Sequence, residues 1–253
     1  MPGDPERLAR LLVDRAPFLR TLADGAAAKG TLTDAHDVSR STVDRAVRDL
    51  EAVGAVERRN GVVVLTLVGR LALSAYDAFR ADVDALAGAA ALSALPATAS
   101  VTLDAIRGAE IIDADPEAPH QPVSVLTEFL SVATRVEMYA MRVLPEVMDT
   151  FRRRVRDGLV LDAYVVPDVL DVLFTDFRDP TEDIVGVETV TLFEVTPLYP
   201  FGLALCHLPD GRQVAFLACG ERGVDLLLVN DTRDALAWAR ERLDRVAASA
   251  HTL

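Results

Sequence analysis

The residues best suited to chemistry lie close together in the sequence, between Ser39 and Gly61. They combine guanidinium groups with hydroxyl, carboxylate and amide groups, and they comprise Arg40, Ser41, Thr42, Asp44, Arg45, Arg48, Arg58, Arg59 and Asn60. Guanidinium and hydroxyl groups hydrogen-bond to phosphate oxygens and to base edges. This stretch therefore predicts contact with a nucleic acid, provided that one folded surface presents these side chains together.

A helix is the first element needed to position them. Ser39 is a favourable N-cap and Gly54 a favourable stop. Between them, apolar residues at helical spacing form an inward stripe of Val43, Val47, Leu50 and Val53. The cationic residues then occupy the opposite face. Near the start of this helix, the residues in position to contact base edges or phosphates are Arg40, Ser41, Thr42 and Arg45. Arg48 lies one turn further on and is expected to meet the DNA backbone.

A β-hairpin is the second element. Asn60-Gly61 is a strong hairpin signal, and short runs typical of strands flank it. The tip of this hairpin carries Arg58, Arg59 and Asn60, which would reach the flanking minor groove or phosphates.

Two further helices are predicted before this pair. PFLRTLADG indicates a helix with Pro17 in its first turn, and residues 32–38 form a short second helix with Thr31 or Thr33 available as its cap. His36 in that short helix is expected to face solvent or DNA. Three helices followed by a hairpin make a winged helix-turn-helix.

The chain from Ser39 onward matches the pattern SRSTVxRAxxxLExxGxVER…LTxxGRLA and resembles winged-helix transcription regulators of the archaeal kind. The matching residues are Ser39, Thr42, Val43, Arg45, Leu50, Glu51, Gly54, Val56, Leu65, Thr66, Gly69 and Arg70. The resemblance implies binding of double-stranded DNA at a pseudo-palindromic promoter site. Two alternatives remain open: the winged helix docks a protein, or its arginines form a solvated face balanced by nearby carboxylates.

The segment after the hairpin predicts a dimerisation helix that ends near Gly88. Its apolar residues recur with heptad-like spacing, as Ala72, Tyr76, Phe79, Val83, Leu86 and Ala90. We expect Tyr76, Phe79, Val83 and Leu86 to pair with the same helix of a second subunit, because a two-fold homodimer matches two half-sites on DNA. The alternative is packing within the same domain.

The charge of the chain is uneven. The formal net charge is -13, and Lys29 is the single lysine beside 25 arginines. Residues 1–90 carry 12 basic and 13 acidic side chains, whereas residues 91–253 carry 14 and 26. Scarce lysine and abundant aspartate resemble proteins of halophilic archaea, although a genome rich in G and C is an alternative cause. The acidity belongs to the second part and does not exclude DNA binding by the first.

Nothing in the sequence predicts a membrane or export role. No apolar run approaches the roughly 20 residues of a transmembrane helix. The first residues lack the basic and apolar regions of a secretion signal. We therefore expect a cytoplasmic protein without a membrane partner.

Strand and helix patterns alternate after residue 99, which predicts an α/β domain with a mostly parallel mixed sheet. The fold class is thus α+β: a winged helix-turn-helix over residues 1–70, a dimerisation helix and linker over 71–98, and an α/β domain over 99–253. The last domain resembles the C-terminal sensor domain of archaeal methanogenesis regulators. That resemblance implies a fold similar to phospholipase D, without catalysis, that senses a small-molecule effector.

No catalytic, cofactor or metal site is predicted. Phospholipase D chemistry requires His and Lys in an H-x-K arrangement, and His120, His207 and His251 have no such lysine. Phosphate-binding loops, nucleophile elbows and zinc motifs are also missing from the sequence. We expect a protein that is not an enzyme.

Effector binding is expected at the carboxyl ends of the sheet strands. Arg142 could pair with an anionic effector there, and Tyr164 and Tyr199 could stack on it or hydrogen-bond to it. The alternative is that each of the three simply packs locally.

The two cysteines flank a predicted hairpin that turns at Asp210-Gly211. A two-residue turn would set Cys206 opposite Ala215, with Cys206 and Cys219 on one sheet face but too far apart for a disulfide. Both are expected to be reduced core residues.

Overall fold

The computed structural model describes residues 5–88, 92, 95–220 and 223–252. The chain forms two compact units, Met1–Val83 and Asp84–Leu253, here called unit 1 and unit 2. Both combine helices with a β-sheet, which confirms the α+β fold class and the winged helix-turn-helix at its start.

Three helices build most of unit 1: α1 (Pro5–Ala23), α2 (Lys29–His36) and α3 (Arg40–Ala52). The predicted start of α1 was wrong, because Pro17 lies inside the helix rather than in its first turn. Pro17 costs the helix one hydrogen bond. Leu12, in the part of α1 before Pro17, is buried in the core of unit 1. The predicted start and cap of α2 were also wrong, since it begins at Lys29 and no side chain caps it.

The wing of unit 1 consists of β2 (Val56–Arg59) and β3 (Val62–Leu65), and a short strand β1 (Ala27–Ala28) pairs with β3 on its other side. Arg59 pairs with Val62, so Asn60 and Gly61 form the turn. Their φ values of 50° and 84° are those of a tight hairpin turn that Asn-Gly favours. The predicted hairpin is therefore confirmed.

Helix α4 (Leu67–Gly88) follows the wing. The Thr66 hydroxyl donates to Gly54 O at 2.6 Å and accepts from Gly69 N–H at 3.0 Å, which caps the helix. A Cβ atom on Gly69 would lie 2.1 Å from Ala55 O. Only glycine therefore allows α4 to approach the segment that connects α3 to the wing.

Unit 2 contains an eight-stranded sheet with helices packed against it. The helices are α5 (Leu103–Ile106), α6 (Gln121–Val132), α7 (Pro145–Arg156), α8 (Pro167–Thr175), α9 (Arg178–Glu182) and α10 (Arg233–Ala247). The strands are β4 (Glu110–Asp113), β5 (Arg135–Ala140), β6 (Val160–Val165), β7 (Val190–Glu194), β8 (Gly202–His207), β9 (Gln213–Cys219), β10 (Leu226–Asn230) and β11 (His251–Thr252).

The strand order is β11-β7-β6-β5-β8-β9-β10-β4. Among the described strands of this sheet, only the β5–β6 and β6–β7 pairs are parallel, and the other five pairs are antiparallel. A mixed sheet is confirmed, but the expectation that parallel pairing dominates was wrong. The helical crossovers occupy only the middle of the sequence, whereas β8, β9 and β10 follow one another through short connections that reverse the chain.

The hairpin of β8 and β9 has a different register from the predicted one. Cys206 pairs with Val214 rather than Ala215, because the reversal is not a two-residue turn: Leu208 N–H donates to Arg212 O at 2.9 Å. Cys219 lies five residues beyond Val214, so the two thiols are on opposite sheet faces, contrary to the prediction. Both cysteines are free and buried, as expected.

Within the described part of the chain, no helix has both the length and the hydropathy that a bilayer span requires.

Candidate functional site

The first candidate site is the exposed face of α3 in unit 1. Ser39 caps the helix by accepting a hydrogen bond from Thr42 N–H at 3.2 Å. The hydroxyl groups of Ser41 and Thr42 lie 2.8 Å and 2.9 Å from Ser39 Oγ. Val43, Val47 and Leu50 are buried, as predicted. The helix start is thus fixed by its own sequence, with small hydroxyl groups at its tip.

Three arginines lie on this face. Arg40, Arg45 and Arg48 are all exposed. None of them forms an ion pair with a residue that the structure describes, although the charge of Arg48 does act on nearby Asp44. Their guanidinium groups are therefore available to an external acceptor.

Asp44 has a different role from these arginines. Its carboxylate forms an ion pair with Lys29 at the start of α2. The hydrogen bond from Lys29 lowers the pKa of Asp44, and the positive charges of Lys29, Arg58 and Arg48 act in the same direction. Lys29 was not among the predicted site residues, because only the folded unit brings it next to α3. The pair reduces the repulsion that Asp44 would exert on a polyanion.

The wing carries the other predicted residues. Arg58 is 46% exposed and lies 3.0 Å from Glu51, whereas Arg59 is 67% exposed and lies 2.5 Å from Glu57. Asn60 at the turn is exposed. Both wing arginines thus pair with a carboxylate of their own unit, while about half of the Arg58 side chain and most of the Arg59 side chain remain in solvent.

His36 does not belong to this surface. Its ring lies 4.4 Å from that of Phe18, and its Nε2 atom lies 2.9 Å from the Thr21 hydroxyl. These contacts join α2 to α1, so the expectation that His36 faces solvent or DNA was wrong.

The second candidate site is the apolar face of α4. Phe79, Val83 and Leu86 are 57%, 41% and 55% exposed. Tyr76 is half-buried, and the guanidinium of Arg20 lies 5.8 Å from its ring. Ala90, the last residue of the predicted stripe, is outside the described residues. Three further apolar residues of α4 are exposed at its start, which the predicted stripe did not include: Leu67, Val68 and Leu71.

The third candidate site is a cavity of about 160 Å³ in unit 2. Its floor is one face of the sheet, where small residues occupy neighbouring strands: Ala140, Ala163, Ala204 and Ala218. Its roof comes from α6, α7 and α8 through Leu130, Met148 and Val169, among others. Small side chains below large ones leave space between the layers, so the cavity follows from the packing of separate elements.

The three predicted effector residues are not brought together. Arg142 lines the cavity, two residues after the end of β5. Tyr164 alternates with cavity residues along β6 and therefore faces the other side of the sheet, where it stacks on Phe193 at 4.8 Å. Tyr199 is buried and stacks on Phe201 at 5.3 Å. Burial, together with the charge of Asp162, raises the pKa of Tyr164, which indicates a packed position.

Unit 2 has its own run of arginines, on α7. Arg152 and Arg156 both donate to Asp183, at 2.5 Å and 3.0 Å. Arg154 donates to Ala133 O at 3.0 Å. Acceptors within unit 2 therefore already bind these guanidinium groups. The arginines of α3 differ, because they have no ion-pair partner among the described residues.

Comparisons with known proteins show the family of this chain. The family model described as the middle domain of the methanogenesis regulatory protein FilR1 matches residues 119–249, which is more than half of the chain. The chain belongs to the FilR1 middle domain family. A second family model, the HVO_A0261 N-terminal domain, matches residues 4–87. The resemblance to archaeal regulators of this type is thus confirmed. No curated protein matches the sequence significantly.

Three solved structures are similar to this member of the FilR1 family. TrmBL2, described as an archaeal chromatin protein with a novel mode of DNA binding, is 12% identical with a TM-score of 0.43 over 97% of this chain and 99% of its own. NucT from Helicobacter pylori is 11% identical with a TM-score of 0.45, over 57% and 98%. Nuc from Salmonella typhimurium, a phospholipase D family member, is 10% identical with a TM-score of 0.41, over 57% and 97%.

The three histidines of unit 2 belong to different elements of the fold. His207 is on β8, where its Nδ1 atom lies 3.0 Å from Gln213 Nε2, and burial lowers its pKa. His120 precedes α6 and His251 lies on β11. The residue two places after His207 is Pro209, where an H-x-K motif would have lysine. No group of three potential metal ligands occurs among the described residues.

Proposed function

We propose that the protein is a sequence-specific DNA-binding transcription regulator that acts in the cytoplasm as a homodimer under the control of a small-molecule effector. The observation that carries the proposal is the face of α3, where Arg40, Arg45 and Arg48 are exposed and have no ion-pair partner among the residues that the structure describes. Family membership supports a regulatory function.

The shape of unit 1 supports duplex DNA as the partner. The major groove of B-DNA admits one α-helix, and residues near the helix N-terminus reach base edges. In α3 that end carries Arg40, Ser41 and Thr42, followed one turn later by Arg45. The wing, with Arg58 to Asn60 at its tip, would contact the neighbouring minor groove or phosphates.

A homodimer accounts for the apolar face of α4. Phe79, Val83 and Leu86 follow a heptad-like spacing and are exposed in the single chain. A second copy would bury them against the same residues of its own α4, as in a coiled coil. Two winged helices related by a two-fold axis would then read a pseudo-palindromic site.

The acidity of the chain fits a halophilic host. Carboxylates dominate residues 91–253, whereas residues 1–90 are nearly neutral. At molar salt the Debye length falls to about 3 Å, which removes long-range repulsion between unit 2 and DNA. Binding would therefore depend on close contacts from α3 and the wing.

The histidine positions support a regulator that is not an enzyme, because no phospholipase D motif surrounds them. A protein that uses its winged helix to bind another protein is the second candidate, favoured by the carboxylates that hold Arg58 and Arg59.

Two variants distinguish these functions. Arg45→Ala and Arg59→Ala should each lower affinity for promoter DNA about tenfold, because each removes a phosphate or base contact. Arg212→Ala, an exposed arginine of unit 2 paired with Asp210, should not change affinity. All three variants should remain dimeric by analytical ultracentrifugation, whereas Phe79→Glu should give monomers.

The genome-wide DNA occupancy of the protein, measured in its native host, identifies the promoter fragments for this binding assay. Enriched promoter sites that disappear in the Arg45→Ala strain would support the regulator. Absence of enriched sites, or unchanged DNA binding in both arginine variants, would favour the protein-binding alternative.

A further inference from the structure

The cavity of unit 2 differs from an ordinary packing defect in its lining. Among the described lining residues there is no acidic side chain, and the one charged group is Arg142. Thr181 also lines the cavity, but its hydroxyl donates to Leu173 O at 3.0 Å and is therefore already satisfied. A ligand would meet an apolar surface with a single cationic group.

Arg142 has the features of a ligand-binding group. It follows β5 at the carboxyl end of a parallel strand, where ligands bind in open α/β sheets. It is exposed, and it forms no ion pair within the residues that the structure describes. A guanidinium group binds a carboxylate through two parallel hydrogen bonds.

The rest of the lining indicates an aromatic body. Three of the four methionines of the protein line the cavity, namely Met138, Met141 and Met148, together with Phe151 and Phe216. Thioether groups make favourable contacts with aromatic rings and adapt to irregular shapes. The volume of about 160 Å³ suits one ring, since an engineered apolar cavity of about 150 Å³ binds benzene.

We infer that this cavity binds a small aromatic monocarboxylate, with its ring between the sheet and α7 and its carboxylate on Arg142. Such a carboxylate would be the effector of the proposed regulator, and only this regulatory effect rests on the proposed function. Binding itself is a property of unit 2.

The test is calorimetric titration of the full chain, without DNA, with benzoate, benzamide and inorganic phosphate. Benzoate should bind, whereas the neutral isostere benzamide and phosphate, which lacks the ring, should bind at least about tenfold more weakly. Arg142→Gln should lower benzoate affinity about tenfold and bring it to the level of benzamide. Arg178→Gln, an exposed arginine on α9, is the matched control and should bind benzoate like the wild type.

A second set of variants changes the volume. Ala218→Leu places a branched chain on the cavity floor and should abolish benzoate binding. If this variant does not fold, Met148→Ala enlarges the cavity instead and should shift the preference from benzoate towards 2-naphthoate.

Absence of benzoate binding in the wild type would overturn the inference, as would equal affinity for benzoate and benzamide or unchanged affinity in Arg142→Gln. These outcomes leave the DNA assay untouched. A protein that binds DNA but not benzoate retains the proposed DNA function, and one that binds benzoate but not DNA retains the cavity.

Discussion

Two helices of this protein are rich in arginine, yet the structure treats them differently. On α3 of unit 1, Arg40, Arg45 and Arg48 are exposed without an ion pair in the described chain. On α7 of unit 2, Arg152 and Arg156 share the carboxylate of Asp183. The number of arginines on a helix therefore does not show whether their guanidinium groups are free to bind an external anion. Whether their donors already have acceptors within the same unit is the more informative property.

The largest effect on stability should come from breaking the close contact between α4 and the segment after α3. Gly69→Ala would place a methyl group 2.1 Å from Ala55 O, so α4 and the segment after α3 could not remain in contact. We expect unit 1 to lose about 3 kcal/mol or more of its free energy of unfolding. Urea denaturation monitored by circular dichroism measures this change.

Gly30→Ala is the matched control for that variant. A Cβ atom on Gly30 meets nothing within 4 Å, and the residue lies in α2. The substitution should leave stability unchanged or raise it by up to about 1 kcal/mol. Equal stability of Gly69→Ala and the wild type would show that the close approach at Gly69 is not required.

The reactivity of the two cysteines reports on the packing of unit 2 alone, because both cysteines lie there. Burial raises the pKa of Cys206 and of Cys219 to about 12, and only the thiolate reacts. At pH 8 we expect iodoacetamide to label both at least about a hundredfold more slowly than in the urea-unfolded chain. Gly69→Ala should retain this protection. Rapid labelling of the native wild type would contradict the packed sheet.

The same thiols give a pH dependence. Their pKa values in the folded chain exceed the ordinary value of 9.0, so the unfolded chain ionises first as pH rises. The stability that they contribute is present below about pH 9 and is lost progressively between pH 9 and about 12. Chemical denaturation of unit 2 at increasing pH checks this direction, and replacement of both cysteines by alanine should weaken it and leave the contribution of Tyr164, whose pKa is also raised.

The smallest effect on stability should come from Asp183, whose carboxylate pairs with two arginines of α7. Asp183→Asn should cost less than about 1 kcal/mol of stability, because the ion pairs of Asp183 with Arg152 and Arg156 are partly exposed. It also releases two guanidinium groups. We expect weak binding of random-sequence DNA to increase a few-fold at low salt. If this binding does not change, internal pairing is not what separates α7 from α3.

Sequence reasoning succeeded where local chemistry decides the structure. Ser39 caps α3 and Asn60-Gly61 turns the wing because a side-chain acceptor and two positive φ values are properties of those residues themselves. It failed for α1, because Pro17 is tolerated inside a helix whose earlier residues, including Leu12, are held by packing.

The other predictions that were wrong concern features that form between segments distant in the sequence. A reversal longer than two residues before Gln213 moved the register of β9 by one position, which placed Cys219 on the opposite face. Tyr164 lies on the predicted strand, but its side chain is on the face of β6 opposite the cavity. The cavity beside Arg142 requires small residues on four strands to meet large ones on three helices, and no single segment contains that pattern.

The most direct measurement compares the two arginine helices in one DNA-binding assay. A promoter fragment from the occupancy experiment is titrated with the wild type, with the α3 variant Arg40→Ala/Arg45→Ala/Arg48→Ala, and with an α7 variant in which Arg152 and Arg156 are alanine. Fluorescence anisotropy should show a loss of at least about a hundredfold for the α3 variant and less than about twofold for the α7 variant. Equal losses in both variants, or no loss in the α3 variant, would contradict the assignment of α3 as the DNA-reading helix.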